Sequence, residues 1–123
     1  MNTIDMLKAV ADETRLRILS LLLESGELCS CELESLLALS QSNTSRHIGR
    51  LRWVQIIESW RESQWIHYRI NKTTWDSFPV IQQSVESARQ EIEQFRIDLE
   101  RLEHYRASDA SCTTIKQWIR SQQ

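Results

Sequence analysis

Ser40-Gln41-Ser42-Asn43-Thr44-Ser45-Arg46-His47 begins a helical pattern just behind a short apolar segment carrying Leu33, Leu36 and Leu37. Ser40 is a natural N-cap, and Thr44, Ile48 and Leu51 recur on one side of a helix running from Gln41 to about Val54. A short helix, a tight turn and a second helix with polar first residues make a helix-turn-helix. The second helix of such a pair lies in the major groove, where its N-terminal side chains reach base edges. The residue types suit that task. Gln41 and Asn43 can pair with adenine, Arg46 with guanine, and Ser42 and Ser45 with a base or a phosphate. Helical spacing turns Gln41, Ser42, Ser45, Arg46 and Gly49 outward, opposite the apolar side. His47 and Arg50 join the expected DNA-contacting set.

On the C-terminal side, Ile56–Trp60 and Trp65–Ile70 are β-prone runs separated by the polar residues Arg61-Glu62-Ser63-Gln64, which predicts a hairpin. Arg61 and Gln64 place this wing beside the same DNA. Alternation puts Ile66, Tyr68 and Ile70 inward, with His67 and Arg69 outward. From Arg46 to Lys72 the bases are Arg46, Arg50, Arg52, Arg61, Arg69 and Lys72, against Glu58 and Glu62. The chain as a whole carries a formal charge of -2, so positive charge is concentrated on the predicted DNA face.

On the N-terminal side, Leu7, Val10 and Ala11 mark a short first helix. Asp12 caps a second, with Leu16, Leu19, Leu22 and Leu23 on its apolar side and Gly26 at its C-terminal end. A third starts near Cys29-Ser30-Cys31. The last third of the chain reads differently. Ile81, Val85, Ala88, Ile92, Phe95, Leu99 and Leu102 are spaced 4, 3, 4, 3, 4, 3, the a/d pattern of a coiled-coil seam. A stripe of that length needs a covering layer, and a second copy of the chain is the simplest one. The expected organisation is a winged helix-turn-helix over residues 1–72, a long dimerisation helix over 73–106 and a polar tail over 107–123. The fold class is mostly α with a β-hairpin wing.

Composition narrows the function further. With 123 residues, 2 Gly and 1 Pro, one helical domain is expected. No apolar run approaches the roughly 20 residues of a membrane span, and the first residues lack a signal-peptide pattern. The 3 cysteines are too few for a disulfide framework, which points to a reducing cytoplasmic setting with free thiols. Enzyme chemistry is not indicated. His47, His67 and His104 fall in the recognition helix, the wing and the last helix, and share no cleft with a nucleophile.

Four segments together resemble the ArsR/SmtB family of metal-responsive repressors. They are Leu7–Leu19, Glu27–Leu33, Leu39–Ser40–Gln41 with Ser45-Arg46-His47-Ile48 and Leu51-Arg52, and Trp65–Ile70. The resemblance covers about residues 7–70. It implies a homodimer that occupies a pseudo-palindromic double-stranded operator without a cofactor and leaves it when an inducer binds. The chain departs from the family in having Glu13 where Pro is usual and no Gly between Glu62 and Gln64.

Within the family, Cys29-Ser30-Cys31 resembles the arsenite and antimonite site of arsenical repressors and part of a cadmium/lead site. The third cysteine of the arsenite site is replaced here by Glu34, and no cysteine precedes Cys29 to complete the cadmium/lead version. The family's zinc site on the last helix would have only His104 and Asp98. Cys112 remains, so the expected ligands of As(III) or Sb(III) are Cys29, Cys31 and Cys112. At the start of their helix, Cys29 and Cys31 are expected to be favoured as thiolates. Two residues apart on a helix, Cys29 and Cys31 diverge by about 200° and converge only if that turn is distorted. A redox or persulfide switch and a cadmium/lead response are the alternatives within this fold. A coiled-coil interaction module is the alternative without DNA.

Overall fold

Asp12 and Ser40 cap their helices as their side chains predict: Asp12 accepts from the Arg15 N–H at 2.9 Å and Ser40 from the Asn43 N–H at 3.1 Å. The computed structural model describes all 123 residues. The N-terminal part is α1 (Thr3–Val10), α2 (Glu13–Ser25), β1 (Glu27–Cys29), α3 (Ser30–Leu37) and α4 (Gln41–Trp53). The wing is β2 (Ile57–Glu62) and β3 (Trp65–Ile70), followed by α5 (Lys72–Ser77), α6 (Pro79–Glu91), α7 (Glu93–Ala107) and α8 (Ile115–Ser121). Gly26 ends α2 with φ 90, a value that an L side chain rarely adopts. Ala38 ends α3 in the left-handed conformation, φ 55, and swings the chain into the turn before Ser40. This is a winged helix-turn-helix, with α4 as the second helix of the pair.

The sheet is antiparallel in the order β1-β3-β2. β1 is a strand that the sequence pattern did not reveal, since three residues are too short for periodicity. Its register pairs Leu28 with Tyr68 and Cys29 with His67. The wing turns through Ser63, which takes φ 57, a conformation usually left to glycine. On the inner side of β3, Tyr68 is buried and Ile70 half-buried, whereas Ile66 near the tip is exposed.

One core holds the molecule together, built from α1, α2, α3, α4, the sheet and the C-terminal helices. Ile18, Leu19, Leu22, Leu33, Leu36 and Leu51 are fully enclosed in it, each contributing about 1.5–3 kcal/mol by burial. Most of the C-terminal stripe is enclosed by the chain itself rather than left open for a partner: Ile81, Val85 and Leu102 belong to this core and Leu99 packs against it. Ile81, Val85, Ala88, Phe95 and Leu102 are buried within the chain itself, and Ile92 and Leu99 half-buried. The expected continuous helix over 73–106 is three helices, the longest being the C-terminal α7. The chain leaves helical geometry at Ile92, φ -117 and ψ 115, with no Pro or Gly nearby. A straight helix over Pro79–Ala107 would run to roughly 44 Å, twice the roughly 20 Å of α2. The break lets both halves lie on α2.

A buried ion pair locks α7 in place. Arg17 on α2 donates through Nε and Nη2 to both Asp98 carboxylate oxygens at 2.8 Å. Gln94 donates to the same carboxylate at 2.9 Å, and Arg17 also reaches the Leu37 carbonyl at 3.2 Å. Asp98 is therefore committed to structure, and His104, exposed on α7, has no carboxylate partner for a zinc site.

Candidate functional site

Two arrangements carry chemistry: the exposed side of α4 and a cluster of thiols at the start of α3. On α4, Gln41, Ser42, Ser45, Arg46 and Arg50 are exposed and Asn43 half-buried, with the Asn43 side chain accepting from Arg46. Thr44, Ile48 and Leu51 face the core, as their spacing predicts. Arg61 and Gln64 are exposed on the wing. Arg69 is paired with Glu58 at 2.6 Å and lies 4.9 Å over the Trp60 ring, which stacks on His67. Lys72 faces Asp76. The basic side chains left to meet a polyanion are Arg46, Arg50, Arg52 and Arg61.

His47 is not on that exposed side, contrary to expectation. It is 8% exposed, with Nδ1 at 3.2 Å from an Arg15 guanidinium nitrogen and 3.7 Å from Asp12. Burial lowers its pKa from the ordinary value, against the pull of Asp12. A neutral ring can accept from Arg15, which also donates to the carbonyls of Lys8 and Ala9. This chain of bonds ties the recognition helix to the α1–α2 junction. Position seven of α4 falls beside Thr44 and Ile48 on the inner side, a placement the 3.6-residue period already implies.

The cluster joins residues far apart in sequence. The ligand atoms of Cys29, Glu32 and Cys112 all lie within 4.8 Å of one another. Cys29 ends β1 and is the N-cap of α3; its N–H donates to Glu32 Oε1 at 2.8 Å, in a capping box. The other Glu32 oxygen accepts from the Tyr105 hydroxyl at 2.5 Å. Cys112 arrives from the turn between α7 and α8. Cys31 lies outside this set, half-buried and facing Glu34 and Lys116.

The helix N-terminus does not make these thiols acidic. Burial dominates and pushes Cys29 well above the ordinary thiol range, reinforced by its hydrogen bond to Cys112. Burial takes Cys112 up to about 11, and Glu32 adds to the rise. Cys31 is raised by burial and by Glu34. At neutral pH the site therefore offers two protonated, soft sulfur donors beside a carboxylate whose two oxygens already accept hydrogen bonds. Sequence reasoning missed Glu32. The signal for it was present, since Glu at N3 behind an N-cap residue is the second half of a capping box.

Residues 12–59 match the family described as bacterial regulatory protein, arsR family. The solved structure of HlyU from Vibrio cholerae N16961 is 34% identical, covers 72% of this chain and 89% of its own, and superposes with a TM-score of 0.59. The chain belongs to the arsR family. Among its relatives, the arsenic resistance transcriptional regulator ArsR1 of Pseudomonas putida is 45% identical over 64 residues. That match spans 52% of this chain and only 50% of the relative. The AntR antimony-specific transcriptional repressor has a solved structure with 29% identity and a TM-score of 0.56, covering 72% of this chain and 80% of that one. The arsR-family match includes α3, α4, Cys29, Cys31 and Glu32, but not Cys112. No helix of this arsR-family chain is long and apolar enough to cross a membrane.

Proposed function

We propose that the chain is a dimeric transcriptional repressor that occupies a pseudo-palindromic operator and is released when trivalent arsenic or antimony binds Cys29 and Cys112. The observation that carries this reading is the pair of thiols at the N-cap of α3, the helix that leads directly into α4. A ligand there acts on β1, on the cap of α3 and, through Ala38–Ser40, on the recognition helix. Release follows if the ligand favours an α3 position that α4 cannot share with DNA. Residues 1–72 supply DNA recognition in this reading, through Gln41, Ser42, Asn43, Ser45, Arg46, Arg50, Arg61 and Gln64. Five of the seven stripe residues are buried within the chain and leave only Ile92 and Leu99 partly open, so the second copy needs a further apolar surface. Met1, Ile4 and Leu7 of the α1 segment are exposed, Ile4 at 57% and Leu7 at 39%.

Thiol protonation favours arsenic over a divalent cation. A thiol condensing with an As–OH group forms an As–S bond and releases water, with no net proton. A divalent metal that binds two thiols must expel two protons, which makes its apparent affinity climb about a hundredfold per pH unit below the thiol pKa values. Two thiols suffice for an arsenical that bears one carbon substituent; inorganic arsenite keeps a hydroxyl or takes a further donor.

The test is fluorescence anisotropy of the reduced protein on its own upstream DNA, titrated with sodium arsenite between pH 6 and 8. Arsenite should release a specific complex with little dependence on pH. Cys29→Ser and Cys112→Ser should each abolish release and spare DNA binding, whereas Cys31→Ser should release normally. Release by cadmium alone, with a steep pH dependence, would overturn the arsenic assignment.

The closeness of Cys29 and Cys112 also favours a second reading, in which an oxidant joins the two sulfurs as a disulfide. Release by a mild peroxide, reversed by dithiol, with indifference to arsenite, would select it.

A further inference from the structure

Cys112 is held in the cluster by a segment with little means of standing alone. α8 has seven residues, about half the length at which an isolated helix becomes even marginal in water. Its N-cap, Thr114, makes no side-chain capping bond to it. What orders α8 is contact with the rest of the chain. Ile115 is fully buried in the core, and Trp118, Ile119 and Ala110 are packed against it while half-exposed. The Trp118 ring lies 5.5 Å from that of Tyr105, tilted by 59°. Lys116, Gln117, Arg120 and Ser121 face water. Only two residues, Thr113 and Thr114, separate Cys112 from the Ile115 anchor, so the sulfur reaches Cys29 when Ile115 is docked. Glu32 and Tyr105 sit on other elements: one is fixed in the α3 capping box and the other is carried by α7.

We propose that residues 108–123 form a docking arm whose ordering on α3 is thermodynamically linked to the inducer. The structure shows the docked conformation. Without inducer the arm exchanges between docked and undocked states. A ligand bonded to both Cys29 and Cys112 closes a covalent bridge from α3 to the arm and holds it down. Linkage is reciprocal: whatever factor the ligand adds to docking, docking adds to ligand affinity. An order–disorder transition of this kind is an established way to couple sites. The proposal rests on Cys29 and Cys112 being the inducer ligands, and it adds that the affinity of the site is set by apolar contacts of α8 that touch no ligand.

Hydrogen exchange of the full-length reduced protein, with and without sodium arsenite, tests it. Amides of residues 113–121 should exchange quickly without arsenite and at least about tenfold more slowly with it, while α2 is unchanged. Ile115→Ser should bind arsenite as weakly as Cys112→Ser does, by titration calorimetry, and should hold operator DNA like the parent. If Ile115→Ser lacks the parent's circular dichroism spectrum, Trp118→Ala, at a half-exposed position, takes its place with the same expectation. Arm amides as protected as α2 without arsenite, or parent-like arsenite affinity in the folded arm variant, would overturn the proposal. Failure of the parent to bind arsenite would sink the inducer site as well, whereas binding that leaves the arm unprotected sinks the arm alone.

Discussion

The reading head and the C-terminal third use the same kind of apolar spacing to different ends. In α4, Thr44, Ile48 and Leu51 face the core and leave a polar side outward. In α6 and α7, Ile81, Val85, Phe95 and Leu102 are just as buried, yet their 4-3 spacing resembles that of a two-chain seam. Spacing identifies the side of a helix that must be covered. It does not identify the layer that covers it. For α4 the caps and turns limit the choice, because Ala38–Ser40 holds the helix against α3. For α6 and α7 the choice is made by contacts distant in sequence, Arg17–Asp98 and Arg89–Ser20, the latter at 2.8 Å.

Breaking the first of those contacts should give the largest effect. Arg17→Ala leaves the Asp98 carboxylate enclosed with Gln94 as its remaining side-chain partner, at a cost of about 3–5 kcal/mol. Urea unfolding measures this directly. A loss under about 1 kcal/mol, typical of exposed pairs, would mean that α7 is not clamped on α2. The association state comes next. Leu7→Glu on α1 should weaken the dimer by roughly 2 kcal/mol or more without lowering monomer stability. Phe95→Ala should do the reverse. Sedimentation equilibrium showing Phe95→Ala monomeric and Leu7→Glu dimeric would restore the seam between chains.

Much of the front half was legible because local chemistry determines it. Asp12, Gly26 and Ser40 each act at a helix end through their own side chain or lack of one. The strands of the wing follow from alternation. β1 was not legible, because its three residues pair with β3 forty positions later. The thiol site was legible in part. The cysteine count pointed to Cys112 as a partner for Cys29, and the two do meet. Cys31, however, lies outside the cluster and Glu32 was not expected in it, because which first-turn side chain of α3 faces Cys112 is decided by the docking of the tail. The direction of the thiol shifts was misread for a related reason: helix-end electrostatics is local, whereas burial depends on the whole fold, and here burial is larger.

The reading head offers a smaller and sharper comparison between adjacent residues. Arg46 is exposed and His47 enclosed, so their substitutions should separate DNA contact from helix anchoring. Arg46→Ala should weaken operator binding by about 1–3 kcal/mol and relax the base preference at one position of each half-site, as read by anisotropy on permuted operators. His47 should act through stability and pH instead. Burial keeps its folded-state pKa below the ordinary value of about 6.5, so the unfolded chain takes up the proton first as pH falls. The stability it contributes is complete above that value and is lost as pH falls through it toward the folded-state pKa. His47→Gln should therefore flatten the decline in urea midpoint between pH 7.5 and 5.5. An unchanged slope in His47→Gln would show that the acid sensitivity lies elsewhere and that the Arg15–His47 contact does not hold α4 to the α1–α2 junction.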